Sequence, residues 1–186
     1  MTRKEFDSDC ADPQVLKFLF YNDQDRKNVA GFLTAHVGLK DISWADTDML
    51  RRKAGAESGS HDRIAPFYIG TFVVPIDKRG TEAAKSLLQG VFNTLKSAAS
   101  LLPNSSVVCF FDCADVNNPA IPDLVKFYSQ PSRDFPGVDI EVKEVSTDAW
   151  VRTAEGIVRV RHYKGNADPN DVVDKQHYYM VTQRAS

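Results

Sequence analysis

Residues 84–102 place Ala84, Leu87, Leu88, Val91, Leu95, Ala98, Ala99 and Leu102 on one side of a helix. The i, i+3, i+4, i+7 spacing holds for about five turns. Before it stand a basic turn, IDKRG (76–80), and an apolar run, IGTFVVP (69–75). A helix with one long apolar stripe has to lie on another apolar layer. APFYIGTFVVP (65–75) is apolar on both faces, as a strand covered on both sides must be. SSVVCFFD (105–112) is a second strand of that kind. Strand, helix and strand within about 45 residues predict a right-handed βαβ unit with parallel strands. The turn through Gly80 leaves backbone N–H groups at the helix start, where an anion such as a phosphate would bind.

The chain has 186 residues, enough for one domain with a substantial core. Residues 1–13 read as a loose polar tail ending at Pro13, and 14–186 as a single α/β domain. A net charge of −2 gives no global drive towards nucleic acid. No apolar run reaches the ~18 residues of a membrane-spanning helix. The cysteines are Cys10, Cys109 and Cys113, an odd count with no CxxC pair. A disulfide framework is not expected, and a cytoplasmic or nuclear protein is. His36, His61, His162 and His177 show no metal-ligand spacing. Cys109 lies in an apolar run with no histidine near it in sequence, and reads as a core residue.

VLKFLFY (15–21) predicts the first strand. In 22–38, Asn22 or Asp23 would cap a short helix carrying Val29, Phe32, Leu33, His36 and Val37, ended by Gly38. Ser43 opens S-x-x-D before a helical piece, TDMLRRKAG, with Gly55 as its stop. GAESGSHD (55–62) reads as a loop. Asn117 and Asn118 before Pro119 lead into a helix around 120–129. VDIEVKEV (138–145) alternates, AWVRT and GIVRVRHYK form hairpin arms around Ala154–Gly156, and VVDKQHYYMVTQ is the closing strand.

Over residues 68–130 the chain resembles the acetyl-CoA-binding half of the GCN5-related N-acetyltransferase (GNAT) superfamily. The family's R/Q-x-x-G-x-G/A turn and long helix with a leucine pair read here K-R-G-T-E-A-A-K-S-L-L. Gly80 stands for its first glycine, Ala84 for its last small residue, and Leu87-Leu88 for the leucine pair. Asn117-Asn118-Pro119-Ala120 matches N-x-x-A, Tyr128 lies on the short helix after it, and HYYMV is similar to the last strand. The resemblance implies a mixed, twisted sheet with helices on both faces. It implies an acetyl-CoA-dependent N-acyltransferase acting on a small-molecule or protein amine. Val74, Lys78, Arg79, Gly80, Thr81, Ala83, Ala84 and Asn117 would bind the cofactor. Tyr128 would protonate the leaving thiolate, and Asp112, closing the second buried strand, would take the amine's proton.

Simpler roles stand beside each. Thr81 as N-cap and Glu82 in the first turn suit an ordinary solvated helix start. Asn117 suits a turn before proline, Tyr128 a packed ring, and Asp112 a strand-end cap. Arg152, Arg159, Arg161 and Lys164 cluster on the hairpin, Arg159 and Arg161 on one side; they would meet a phosphate, an acidic substrate or a partner protein, or else form a charged solvent face on an edge strand. The alternative function is therefore a non-catalytic protein of the same architecture that works through protein contacts of its β-rich C-terminal third. A module for another phosphate-bearing ligand is the third.

Overall fold

The computed structural model describes residues 7–8, 11–21, 27–40, 42, 44–58, 64–78, 82–101, 106–114 and 140–183. Their strands are β1 (Val15–Tyr21), β2 (Val29–Val37), β3 (Ile64–Val73), β4 (Ser106–Ala114), β5 (Ile140–Thr153), β6 (Gly156–Val160) and β7 (Val172–Gln183). The main helices are α1 (Thr47–Ser58) and α2 (Glu82–Leu101). The strands form one sheet in the order β1-β2-β3-β4-β7-β5-β6. β3 and β4 run parallel with α2 between them in sequence, and every other pair is antiparallel. The expected βαβ unit is therefore present.

Alternation along the strands sorts side chains to two cores. On one face, Leu87, Leu88, Val91, Phe92 and Leu95 of α2 pack on Leu33, Phe67, Ile69, Cys109, Phe111 and Val181. Each such side chain, fully buried, contributes roughly 1.5–3 kcal/mol. On the other face, Met49, Leu50 and Ala54 of α1 pack on Tyr68, Val108, Phe110, Tyr178 and Met180. Helices thus cover both faces, as a sheet apolar on both sides requires.

The structure corrects several expectations. Residues 29–37 form strand β2, not a helix; Asn22 and Asp23 lie outside the described residues. Val29, Phe32, Leu33, His36 and Val37 fit helical spacing, but in strand form Leu33 and Ala35 reach the α2 core while Thr34 and His36 take the other face. Antiparallel partners on both sides then satisfy the backbone. Gly38 still ends the element, at φ +89°. Helix α1 runs through Gly55, which is buried within it, to Ser58. Its cap is Asp46, whose Oδ1 accepts the Met49 N–H at 2.9 Å, and Ser43 lies outside the described residues. Residues 140–153 form one continuous strand with register shifts, not two pieces, and β6 stops at Val160 rather than Lys164. The helix expected around 120–129 lies outside the described residues, as does most of the 1–13 tail. Among the described residues, no helix is long and apolar enough to cross a membrane.

One feature of the pairing positions the site. β3 and β4 are paired from Ile64–Ser106 to Tyr68–Phe110 and then part. Beyond that point β3 bonds only to β2, and β4 only to β7. The C-terminal ends of the parallel strands therefore separate from each other. Just past the end of β3, a single tight turn (Ile76–Lys78) leads towards α2.

Candidate active site

Tyr68 is the last residue of β3 paired with β4, and Asp112 lies two residues past its partner Phe110. Two steps along a strand return to the same face, so both project on the α1 side of the sheet, where the strands part. The Tyr68 hydroxyl donates to Asp112 Oδ1, and the Gln176 side-chain amide on β7 donates to Oδ2. Burial raises the Asp112 pKa; the bonds from Tyr68 and Gln176 and the Arg159 charge oppose the rise without cancelling it. Burial, reinforced by the Asp112 charge, also lifts the Tyr68 phenol well above its ordinary range. A carboxyl that holds a proton more readily than usual, bonded to a phenol that keeps its own, has the chemistry a proton transfer would need.

A second network frames this pair. Asp148 on β5 is 2% exposed. Its Oδ2 accepts from Arg159 Nε at 3.0 Å and Nη2 at 2.6 Å, and its Oδ1 accepts the His162 N–H at 2.8 Å. Arg159 also donates to the Tyr178 hydroxyl and, through Nη1, to the Trp44 carbonyl at 2.7 Å. Burial raises the Tyr178 pKa, so that phenol stays protonated too. Arg159 is thus not part of a solvent face as the alternation suggested. It is the inward-turned centre of a bonded cluster, and Arg161, past the strand end, reaches Asp46 at 3.7 Å instead.

Trp44 meets the rings of Tyr68 and His36 edge-on, at centroid distances of 5.9 and 5.6 Å. His36 Nε2 is buried without a hydrogen-bond partner among the described residues. The ring fits because Gly70 has no side chain: a Cβ there would stand 2.6 Å from Nε2 and 2.8 Å from Cδ2. Gly70→Ala is expected to push His36 against Trp44 and cost about 1–3 kcal/mol, read as a lowered melting temperature.

The residues expected to hold a cofactor lie at or past the end of β3. Val74 packs against the α2-side core, with Cγ2 in reach of Gly31. Lys78 Nζ pairs with Asp77 at 3.4 Å, and its N–H is bonded to the Pro75 carbonyl at 2.9 Å. Ala83 is buried, so it offers a ligand only its backbone; Ala84 is half-buried. Arg79, Gly80, Thr81, Asn117 and Tyr128 lie outside the described residues. Cys109 is fully buried, its thiol pushed up to about 12 by desolvation, so it is an unreactive core residue as expected. Among the described residues no group of side chains could hold a metal ion. Sequence reasoning picked out Asp112 but missed Gln176, Trp44, His36 and the Asp148–Arg159 pair as its surroundings. The one available signal was Tyr68, the titratable side chain in an otherwise apolar strand.

No protein-family model matches the chain, and no curated protein matches it in sequence. Solved structures do. The ribosomal-protein-S18-alanine N-acetyltransferase of Escherichia coli is similar at TM-score 0.53 and 12% identity, over 100% of this chain and 80% of that one. NAA60 of Arabidopsis thaliana, solved with a bisubstrate analogue, is similar at 0.52 and 16%, over 96% and 82%. FeeM, an N-acyl amino acid synthase from uncultured soil microbes, is similar at 0.50 and 9%, over 97% and 79%. At such identities the likeness is one of architecture. The chain has a GNAT-like fold, that of the GCN5-related N-acetyltransferases.

Proposed function

We propose that the chain is an acetyl-CoA-dependent N-acyltransferase whose acceptor is an amine. The observation that carries this reading is the parting of β3 and β4 with the Asp112 carboxyl beside it. Two of the proteins similar in fold are named for acyl transfer, which supports it. The residues present suit the cofactor: an open end to a parallel strand pair, the start of a 20-residue helix beyond it, and a cation at Lys78. Backbone amides of Gly80 to Ala84 would hold its pyrophosphate, with Lys78 and Arg79 adding charge. Val74 and Asn117 would meet its pantetheine arm. Bound there, acetyl-CoA supplies a thioester carbonyl open to attack. Asp112 takes the proton that the amine must lose, and Tyr68 and Gln176 fix the orientation of that carboxyl. Tyr128 supplies a proton to the departing sulfur. We place the protein in the cytoplasm, as an odd count of three cysteines with no CxxC pair suggests.

A second reading, a non-catalytic protein of this fold acting through its β-rich C-terminal third, is favoured by Glu82. That exposed side chain sets a carboxylate in the first turn of α2, where a pyrophosphate would approach. Thermal melting separates the two. Acetyl-CoA at ~100 times its Kd should stabilise the folded chain by about 2.7 kcal/mol. For a chain of this size that is a rise of roughly 5–10 °C. No rise at millimolar acetyl-CoA removes the transferase reading and favours the contact protein. A rise with other phosphate compounds alone selects a different phosphate-bearing ligand.

A further inference from the structure

An open groove of about 370 Å³ lies between α1, the register shift at Val145 in β5, and the loop after β6. Arg52 and Lys53 of α1 stand on one side and Lys164 on the other. None of the three has an ion-pair or hydrogen-bond partner among the described residues. Among the described acids near it, Asp46, Glu144 and Asp148 are already committed, and Asp48, exposed one turn before Arg52 on α1, is not part of the lining. Asp46 meets His162 and Arg161, Glu144 meets Thr147 and His177, and Asp148 meets Arg159. The lining of the groove therefore holds three cations and no carboxylate.

Its floor is built, not merely exposed. His162 sits there at φ 56°, the one non-glycine residue with positive φ among those described. Three bonds hold it: its N–H to buried Asp148, Nδ1 to the Ser146 hydroxyl at 3.0 Å, and Nε2 to Asp46 at 3.2 Å. A second depression of about 310 Å³ shares His162, Tyr163 and Lys164 with it and is lined as well by Val160, Asn166 and Ala167. Two depressions sharing three residues, one rimmed by cations and one partly apolar, are long for a single small anion and suit an extended polypeptide. The groove also lies within two strands of the proposed centre. Ser146, Tyr178 and Asp112 lie in one row across β5, β7 and β4. At the spacing of neighbouring strands that row spans roughly 10 Å.

We propose that this groove seats an acidic stretch of the acceptor polypeptide, its carboxylates meeting Arg52, Lys53 and Lys164. The word acceptor rests on the transferase reading; the binding does not. The test is fluorescence anisotropy on the full chain. The probes are two pentapeptides labelled at the C-terminus, Ala-Glu-Asp-Glu-Gly and its uncharged counterpart Ala-Gln-Asn-Gln-Gly. The acidic peptide is expected to bind at least about tenfold more tightly at low salt, with the gap narrowing as salt rises. The triple variant Arg52→Ala, Lys53→Ala, Lys164→Ala, all exposed positions, should keep its melting temperature and lose the preference. Equal binding of the two peptides overturns the proposal, as does a preference that survives in the triple variant. Inorganic phosphate binding as tightly as the acidic peptide overturns it too, because the site would then be one for small anions. The melting shift with acetyl-CoA is read separately. Its absence with the peptide preference intact sinks the transferase reading and supports the groove.

Discussion

Asp112→Asn is expected to leave the chain folded and to slow acyl transfer about 10²–10⁴-fold, the usual worth of a positioned proton acceptor. The exchange is close to isosteric, and its surroundings can accept it. The Asn carbonyl oxygen still takes the Tyr68 hydroxyl, and the Gln176 amide, turned over, accepts from the new NH₂. What goes is the basic site. The acetyl-CoA melting shift should survive, since none of the groups assigned to the cofactor is touched. Loss of rate with retained shift assigns Asp112 to chemistry; an unchanged rate removes it from the mechanism.

The same variant gives a stability result whose sign follows from burial. Asp112 has a raised pKa in the folded chain, so the folded state holds this proton more tightly than the unfolded one. Its contribution to stability is fully present below the ordinary aspartate pKa of about 3.9 and is lost as pH rises through the folded value. Above that value the buried carboxylate opposes folding. Asn carries no such charge. The melting temperature of the Asn variant relative to the natural chain should therefore climb with pH and level off once Asp112 is ionised. A relative melting temperature that falls with pH would mean that Tyr68, Gln176 and Arg159 outweigh burial.

The parts of the fold legible in the sequence are those where one pattern excludes its rivals. The α2 stripe is too long to be anything but a helix, and 67–75, 105–112 and 172–183 are too apolar or too regularly β-forming to be loops. Segment 29–37 was ambiguous because its apolar positions satisfy both periods. The hydrogen-bonding partners on β1 and β3 chose the strand, and sequence spacing does not contain them. The site was less legible for the same reason. Asp112 finds Tyr68 from 44 residues away through the parallel pairing of β3 with β4, and Gln176 from 64 because β7 returns between β4 and β5. Arg159 looked solvent-facing because the alternation runs on through Arg161. The strand stops at Val160, and the left-handed turn at His162 lets Arg159 and Arg161 take different partners.

Asp148→Ala should be the most destabilising single change in the network, by roughly 3–5 kcal/mol. The magnitude comes from what it leaves behind more than from what it removes. The Arg159 side chain is 16% exposed, so without Asp148 its charge remains largely out of water, with the Trp44 carbonyl and the Tyr178 hydroxyl as its acceptors among the described residues. The His162 N–H loses its acceptor at the same time. For a chain of this size the melting temperature should fall by roughly 6–20 °C. Asp148→Asn separates the two losses: it keeps an acceptor for His162 but removes the charge, and should recover only the smaller part. Asp148→Leu combined with Arg159→Met removes both charges and should recover much of the loss, because an apolar pair costs no desolvation. If the double variant melts no higher than Asp148→Ala, the cluster matters through its geometry, and the unpaired charge is not the cause.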